Sequence, residues 1–237
     1  MPVYQLLSET RLFPPIDEAE KDGLLAIGGD LNKERLLEAY KNGIFPWYEN
    51  GQPILWWSPD PRLILAPEEM KISRSLRKVL NKKCFEIRFD TAFHQVIKYC
   101  ADVRIEQGKG TWIIPEIQKA YIELYNEGVA HSIESWLNGK LVGGLYGVSL
   151  GQCFFGESMF SKMNDSSKVA LVALVEFCLH YNIRMIDCQM TTKHLLSLGA
   201  REIKRNYFLE KLNKLLKKPT LIGNWNTNYL SVKSNLF

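Results

Sequence analysis

The residues best suited to chemistry form a short polar segment, Asp187-Cys188-Gln189, at the end of an apolar run that predicts a strand over 184–188. Side chains two positions apart lie on the same side of an extended strand. An amide can accept and donate hydrogen bonds, whereas an ionised carboxylate only accepts them. The spacing therefore predicts that Asp187 orients Gln189, with Cys188 facing the core. Taken alone, the segment is better explained as a polar strand end that caps a neighbouring helix.

A second carboxylate, Glu157, follows Phe154-Phe155-Gly156, and we expect it at the end of another strand. A carboxylate in that place can bind a guanidinium or ammonium group through a charge-assisted hydrogen bond. The alternative is a negative charge near the N-terminus of the helix that begins a few residues later. The sequence leaves both interpretations open.

Several familiar kinds of site are missing from the sequence. It contains no Gly-x-x-x-x-Gly-Lys-Ser/Thr phosphate loop and no Gly-x-Ser-x-Gly nucleophile motif. Four histidines are scattered without the spacing of metal ligands, at His94, His131, His180 and His194. We therefore expect neither a metal nor a bound cofactor.

The composition is that of a soluble globular protein, with 237 residues, 46% hydrophobic and 24% charged. The N-terminus lacks the pattern of a signal peptide, and no run of about 18 apolar residues could span a membrane. Five cysteines, an odd number without Cys-x-x-Cys spacing, fit reduced thiols better than disulfides. We expect a cytoplasmic protein without membrane contact.

Positive charge is concentrated in one short stretch, although the whole chain carries only +4. The stretch has no acid and contains six bases, Lys71, Arg74, Arg77, Lys78, Lys82 and Lys83. Apolar residues recur there at helical spacing, which predicts an amphipathic helix with one cationic face. That face either contacts phosphates or is simply solvated. A second, weaker candidate is the group Lys211, Lys214, Lys217 and Lys218.

The chain divides by pattern at residue 61. Before that point, turn residues surround one clear helix, with Asn32 as a plausible N-cap and Gly43 as its stop. The segment Trp56–Arg62 closes this region, because its prolines exclude helix. We predict a small N-terminal domain over 1–61 and a larger domain over 62–237.

The larger region predicts an α+β domain with a mixed, mostly antiparallel sheet. In chain order we expect a strand at 84–89, helices near 91–101 and 115–127, strands at 130–137, 140–148 and 152–159, a helix at 166–180 and a strand at 184–188. This order is typical of the N-acyltransferase fold of the acetyltransferase type. An acetyl-CoA enzyme of that fold needs glycines before the long helix to hold the pyrophosphate. Residues 157–167 contain none, which argues against CoA.

Six segments carry a resemblance to a known family. They are Gly28-Gly29-Asp30-Leu31, Gly43-Ile-Phe-Pro-Trp47, Trp56-Trp57-Ser-Pro-Asp-Pro-Arg62, Gly156-Glu157-Ser158-Met159-Phe160-Ser161, Ile186-Asp187-Cys188-Gln189 and His194-Leu-x-Ser197-Leu-Gly199-Ala200. In type, spacing and order they closely resemble the leucyl/phenylalanyl-tRNA–protein transferases, from about residue 11 to about residue 210.

The resemblance implies a small N-terminal α/β domain packed on a larger acetyltransferase-like (GNAT-type) domain, acting as a monomer. It implies an aminoacyltransferase that moves leucine or phenylalanine, and less readily methionine, from aminoacyl-tRNA to proteins beginning with Arg or Lys, which marks them for degradation. Two other hypotheses remain open. One is an acetyl-CoA N-acetyltransferase of the same fold, and the other is a tRNA-binding protein without catalysis.

The resemblance also implies roles for particular residues. Gln189 would receive the proton of the attacking amine with help from Asp187, but an amide is a very weak base, so we favour positioning. Glu157 would select the acceptor's Arg or Lys. The implied substrate-binding positions are Trp47, Trp112, Leu145, Phe154, Ser158, Leu174 and Cys178, any one of which fits core packing equally well. Trp47 or Trp112 would stack on the terminal adenine, and the basic helix would grip the acceptor stem of the tRNA.

Overall fold

The structure is a computed structural model that describes residues 3–106, 108 and 110–226. Its first sheet has four strands in the order β1-β2-β4-β3. The strands are β1 (Tyr4–Leu6), β2 (Leu24–Gly28), β3 (Phe45–Pro46) and β4 (Leu55–Trp57), and helix α1 (Lys33–Lys41) lies between β2 and β3 in sequence. The Asn32 side chain accepts a hydrogen bond from the Arg35 backbone N–H at 2.8 Å, so the predicted N-cap of α1 is confirmed.

The second sheet has seven strands in the order β11-β5-β10-β9-β8-β7-β6. The strands are β5 (Arg62–Leu65), β6 (Glu86–Phe89), β7 (Ala130–Leu137), β8 (Lys140–Leu150), β9 (Cys153–Ser161), β10 (Met185–Gln189) and β11 (Arg201–Ile203). The helices around it are α2 (Arg74–Asn81), α3 (Phe93–Glu106), α4 (Pro115–Asn126), α5 (Ser166–His180), α6 (Lys193–Ser197) and α7 (Arg205–Leu216). Strands β9 and β10 are parallel, and the other described pairs in this sheet are antiparallel.

Side chains that alternate along the strands divide the large sheet into two hydrophobic faces. On β8, Tyr146 and Val148 join the cluster that contains α3 and α4, whereas Leu145 joins the cluster that contains α5. Helix α5 is apolar on nearly all sides and is therefore almost completely buried. The expected fold class, α+β with a mixed and mostly antiparallel sheet, is confirmed.

The division into domains at residue 61 stays a prediction. The sheets separate between Trp57 and Arg62, since β4 belongs to the first and β5 to the second. Nevertheless, one continuous hydrophobic cluster joins Leu36 and Tyr40 of α1 to Phe155 of β9. The first region therefore completes the core on one face of the large sheet, and it can contribute side chains to a site there.

Several predicted elements have different ends in the structure, and the helix predicted near 91–101, for example, covers Phe93–Glu106. The helix predicted around 71–83 covers only Arg74–Asn81, because the Ser73 hydroxyl caps it by accepting from the Leu76 N–H at 3.2 Å. The strand predicted over 152–159 continues to Ser161. Within the part of the chain that the structure describes, no helix has both the length and the apolar character needed to cross a bilayer.

Candidate active site

The site lies where β9 and β10 separate. These parallel strands pair from Cys153 opposite Met185 to Phe155 opposite Asp187, and no pair is formed beyond that point. A Cβ atom on Gly156 would lie 3.6 Å from the Asp187 carbonyl oxygen, in ordinary van der Waals contact, so the two strands are still close at this point. The polar residues at this point are buried, with Asp187 0%, Gln189 8% and Glu157 9% exposed, so their environment is set by the protein more than by solvent.

Two irregularities turn the side chains of Glu157 and Gln189 toward each other. The pairing of β9 with β8 shifts register beside Gly156, and the pairing of β10 with β5 shifts between Asp187 and Gln189. Gln189 also has a φ of +59°, in the left-handed region that non-glycine residues seldom adopt. As a result, Gln189 Nε2 donates to Glu157 Oε1 at 2.7 Å.

Glu157 accepts two further hydrogen bonds, from residues of two different helices. The Tyr40 hydroxyl of α1 donates to Oε1 at 2.7 Å, and the Tyr121 hydroxyl of α4 donates to Oε2 at 2.8 Å. The two tyrosine hydroxyl oxygens also lie next to each other, but each hydroxyl has a single proton, which it donates to Glu157. Burial raises the pKa of both phenols well above the ordinary value, so both stay protonated and act as donors.

Burial raises the pKa of Glu157 to about 7, although the hydrogen bonds from Tyr40, Tyr121 and Gln189 act in the opposite direction. Near neutral pH the carboxyl group is therefore divided between its protonated and ionised forms. Its ionised form accepts only, and it must then face the NH₂ end of Gln189. This arrangement leaves Gln189 Oε1 without a hydrogen bond to any described residue, and free to accept one from a substrate.

The expected position of Glu157 was wrong in both interpretations. Glu157 lies inside β9, four residues before its end at Ser161, rather than at a strand end or at a helix N-terminus. The strand predicted over 152–159 already continued two residues past Glu157, and the structure extends it to Ser161.

Asp187 is held by a buried ion pair with Arg62. The guanidinium donates twice to the carboxylate, from Nε at 2.9 Å and from Nη2 at 2.7 Å, and both side chains are at most 1% exposed. Arg62 also donates to the Gly43 carbonyl oxygen at 3.1 Å and lies 4.8 Å from the centre of the Phe45 ring. Such bidentate geometry with further hydrogen bonds is what makes a buried ion pair tolerable.

Asp187 orients Gln189 through the backbone and not through its side chain. Asp187 Oδ1 accepts from the Gln189 backbone N–H at 2.9 Å. The expectation that the two side chains lie side by side was wrong, because the register shift and the positive φ interrupt the alternation of the strand. Cys188 is partly buried and packs beside the cluster around α5, toward the core as expected.

The predicted substrate-binding residues lie on both faces of the large sheet. Trp47 follows β3 and is 39% exposed, while Trp112 precedes α4 and is buried in the same cluster as Tyr40 and Tyr121. The cluster around α5 contains the buried side chains Leu145, Phe154, Leu174 and Cys178. Ser158 lies beside the buried thiol of Cys100. The structure thus brings Glu157, Asp187 and Gln189 together and places the two groups of apolar residues on opposite sides of them.

Three residues of this site were not identified from the sequence as parts of it: Arg62, Tyr40 and Tyr121. A signal existed for Arg62, since a single charge at the start of the apolar run Leu63-Ile-Leu65 predicts a buried partner. Tyr40 and Tyr121 occur at core-facing positions of their helices, which by itself predicts only packing.

The six basic residues from Lys71 to Lys83 are all exposed. None makes an ion pair with another residue that the structure describes. Three of the six flank α2 rather than lie within it, so the cationic face includes both helix ends.

Comparison with known proteins identifies the family. A model of the leucyl/phenylalanyl-tRNA protein transferases matches residues 64–213, and a model of their N-terminal domain matches residues 29–60. The chain belongs to this family. A leucyl/phenylalanyl-tRNA–protein transferase of Desulfatibacillum aliphaticivorans is 56% identical over 225 residues, which is 95% of this chain and 96% of that protein. The transferase of Azoarcus sp. (strain BH72) is 58% identical over 210 residues, 88% of this chain and 89% of its own.

Similarity to solved structures is much lower. An aminoglycoside acetyltransferase from an uncultured soil metagenomic sample aligns with 48% of this chain and 84% of its own, at 18% identity and a TM-score of 0.39. The family assignment therefore depends on the sequence relatives.

The ion pair between Arg62 and Asp187 predicts a large loss of stability when one partner is removed. We expect Arg62→Met to lower the free energy of unfolding by about 3–5 kcal/mol, because Asp187 is left as an unpaired buried charge. Adding Asp187→Leu should restore part of that loss. The exposed pair between Arg201 and Glu69 provides the control, and Arg201→Met should cost at most about 1 kcal/mol. Urea unfolding measures all three, and equal losses for the two arginines would contradict this account.

Proposed function

We propose that this protein transfers leucine or phenylalanine from aminoacyl-tRNA to the α-amine of proteins that begin with Arg or Lys, and that the transfer takes place in the gap between β9 and β10. The family supplies the reaction, and the free Oε1 of Gln189 beside that gap supports the place. We further propose that methionine is a poorer donor, and that the enzyme acts as a monomer in the cytoplasm.

The reaction is aminolysis of an ester. The amine nitrogen forms a bond to the ester carbonyl carbon, the bond from that carbon to the tRNA ribose oxygen breaks, and a proton lost from the amine balances the one gained by the ribose hydroxyl. An α-amine has a pKa of about 7.7–8.0, so a useful neutral fraction exists near pH 7 without a strong base. Holding amine and ester together can therefore provide much of the acceleration.

Gln189 positions the amine in this proposal. Its Oε1 accepts a hydrogen bond from the amine, while its Nε2 is fixed by ionised Glu157. Asp187 fixes the backbone of the same residue, and Arg62 fixes Asp187. Because an amide oxygen is a very weak base, these contacts favour orientation of the amine over removal of its proton.

Glu157 has a second role in the proposal. A carboxylate offers about four accepting positions, and the three hydrogen bonds described above leave one position on Oε2. That position and the negative charge can attract the guanidinium or ammonium of the acceptor's first residue, as expected from the sequence. The hydrogen bonds with the tyrosines keep the carboxylate in place as the acceptor enters.

The aminoacyl group of the donor tRNA lies on the side of the gap opposite the acceptor. We propose that its apolar side chain is received by Phe154 and its neighbours Leu145, Leu174 and Cys178, and that Ser158 lies along its path. Trp47 or Trp112 then stacks on the terminal adenine, which recognises tRNA without reading its sequence. The exposure of Trp47 supports this arrangement.

A transfer assay tests the proposal directly. With leucyl-tRNA and a peptide that starts with Arg, we expect the peptide to gain leucine, and phenylalanyl-tRNA to serve as a donor too. Gln189→Ala should lower kcat by about 10- to 100-fold, because the amine loses its positioning contact. Gln95→Ala, an exposed glutamine on α3, is the control. A peptide that gains nothing would refute the function, and an unchanged kcat in Gln189→Ala would refute the role of Gln189.

The pH dependence of kcat/KM tests the role of Glu157. Activity should rise as the pH passes through about 7, because the ionised carboxylate fixes Gln189. Tyr40→Phe removes a hydrogen bond to the charged form, so the pKa of Glu157 should increase and this rise should move about one unit to higher pH. Glu157→Gln should leave only the titration of the peptide amine. The same profile in all three proteins would exclude ionisation of Glu157 as a factor.

The salt dependence of tRNA affinity tests the proposal that the basic face around α2 binds the acceptor stem of the tRNA. Each phosphate contact adds to the slope of log affinity against log salt concentration. Replacing Arg74, Arg77 and Lys78 with Gln should reduce that slope by about two to three. Replacing Lys211, Lys214 and Lys217 is the matched comparison. If the first triple variant keeps the full slope, the face around α2 is only solvated.

A further inference from the structure

A groove of about 690 Å³ lies between the first sheet and the N-terminal half of α4. Its lining includes the end of β2 at Gly28, the loop over 50–54 and Tyr48. It is not part of the reaction centre, but the two are close along the chain. Ala120 of α4 lines the groove, and the next residue, Tyr121, hydrogen-bonds to Glu157.

Tyr48 indicates that the groove binds a ligand. Only 6% of Tyr48 is exposed, and its hydroxyl makes no hydrogen bond with any residue that the structure describes and is accessible from the groove. Burial, followed by the charge of Glu116, raises the pKa of this phenol to about 12, so it is a donor near neutral pH. A hydroxyl that opens into a groove is free to donate to a ligand bound there. A peptide carbonyl oxygen is an acceptor of the required kind.

The charges on the groove favour a cation over a polyanion. Its charged lining residues are Glu116, Lys119 and Glu123, two carboxylates against one ammonium, which gives a net charge of −1. Both carboxylates are exposed, and neither forms a side-chain hydrogen bond or an ion pair within the described part of the chain. RNA would be repelled by them, whereas a basic polypeptide would be attracted.

We infer that this groove receives the residues that follow the N-terminal Arg or Lys of the acceptor polypeptide, and that it favours basic over acidic residues at those positions. The inference rests on the proposed function. Glu116 and Glu123 are seven residues apart on α4, or about 10 Å. An extended peptide covers that distance with about three residues. The groove therefore fits a short stretch of acceptor chain near positions 2–5.

Acceptor peptides of different length and charge test the inference with the full chain and leucyl-tRNA. The three acceptors are the dipeptide Arg-Ala and two hexapeptides that both begin with Arg-Ala. The hexapeptides differ only at positions 3 and 4, which are Lys-Lys in one and Glu-Glu in the other. We expect kcat/KM for the lysine hexapeptide to exceed that for the glutamate hexapeptide by about three- to tenfold, the range of two weak ion pairs. The difference should lie mainly in KM.

Variants distinguish attraction of the basic peptide by the groove from its attraction by the negatively charged tRNA. In the variant that combines Glu116→Gln with Glu123→Gln, the ratio of kcat/KM for the lysine hexapeptide to that for the glutamate hexapeptide should fall to nearly one. The dipeptide should react as it does with the unmodified protein. Tyr48→Phe should raise KM for both hexapeptides by about threefold or more through one lost hydrogen bond. Asp17→Asn with Glu210→Gln, two exposed acids outside the groove, should keep the preference.

The outcomes distinguish this inference from the proposed function. If the dipeptide gains no leucine, the proposed function fails. If the dipeptide reacts but the hexapeptides show no charge preference, or if the preference survives in the double glutamine variant, the groove does not hold the acceptor and the inference is overturned.

Discussion

The buried ion pair between Arg62 and Asp187 is the interaction on which the rest of the site depends. Two charges in an apolar interior are costly unless each is fully hydrogen-bonded, and here the guanidinium binds both carboxylate oxygens and the Gly43 carbonyl oxygen. The pair therefore joins β5 and β10 to the turn that follows α1. Because Asp187 also accepts from the Gln189 backbone, the direction in which β10 leaves the sheet follows from this ion pair.

The second constraint is the burial of Glu157 beneath two tyrosines. Burial alone would favour a neutral acid, and the three donors offset part of that effect, which places the pKa near 7. Since Tyr40 comes from the N-terminal region and Tyr121 from α4, the small first sheet and α1 are needed to complete the environment of the carboxylate. The ionisation state of Glu157 determines which end of the Gln189 amide faces the substrate. In the proposed reaction, this site positions the amine with hydrogen bonds and needs no strong base.

Much of the fold follows from local patterns. The caps at Asn32 and Ser73, the meander after α4 and the long apolar helix α5 are all determined by residues close in sequence. The position of Asp187-Cys188-Gln189 at the end of a strand was also predicted, but the geometry of the segment was not. The partners of the site are far apart along the chain, with Arg62 and Asp187 separated by 125 positions and Tyr40 and Glu157 by 117. Neither distance leaves a periodic pattern, and the positive φ of Gln189 gives no signal in a non-glycine residue.

The central claim is that a buried, ionisable Glu157 controls the orientation of Gln189. A pH titration of the ¹³C-labelled glutamate carboxyl groups by NMR, with Glu157→Gln used to assign the signal, measures that ionisation directly. The account predicts a midpoint at pH about 7 for Glu157. It also predicts a change of the Gln189 side-chain amide signals with the same midpoint. A midpoint near the ordinary glutamate value of about 4.3, or a Gln189 amide that does not respond, would contradict it.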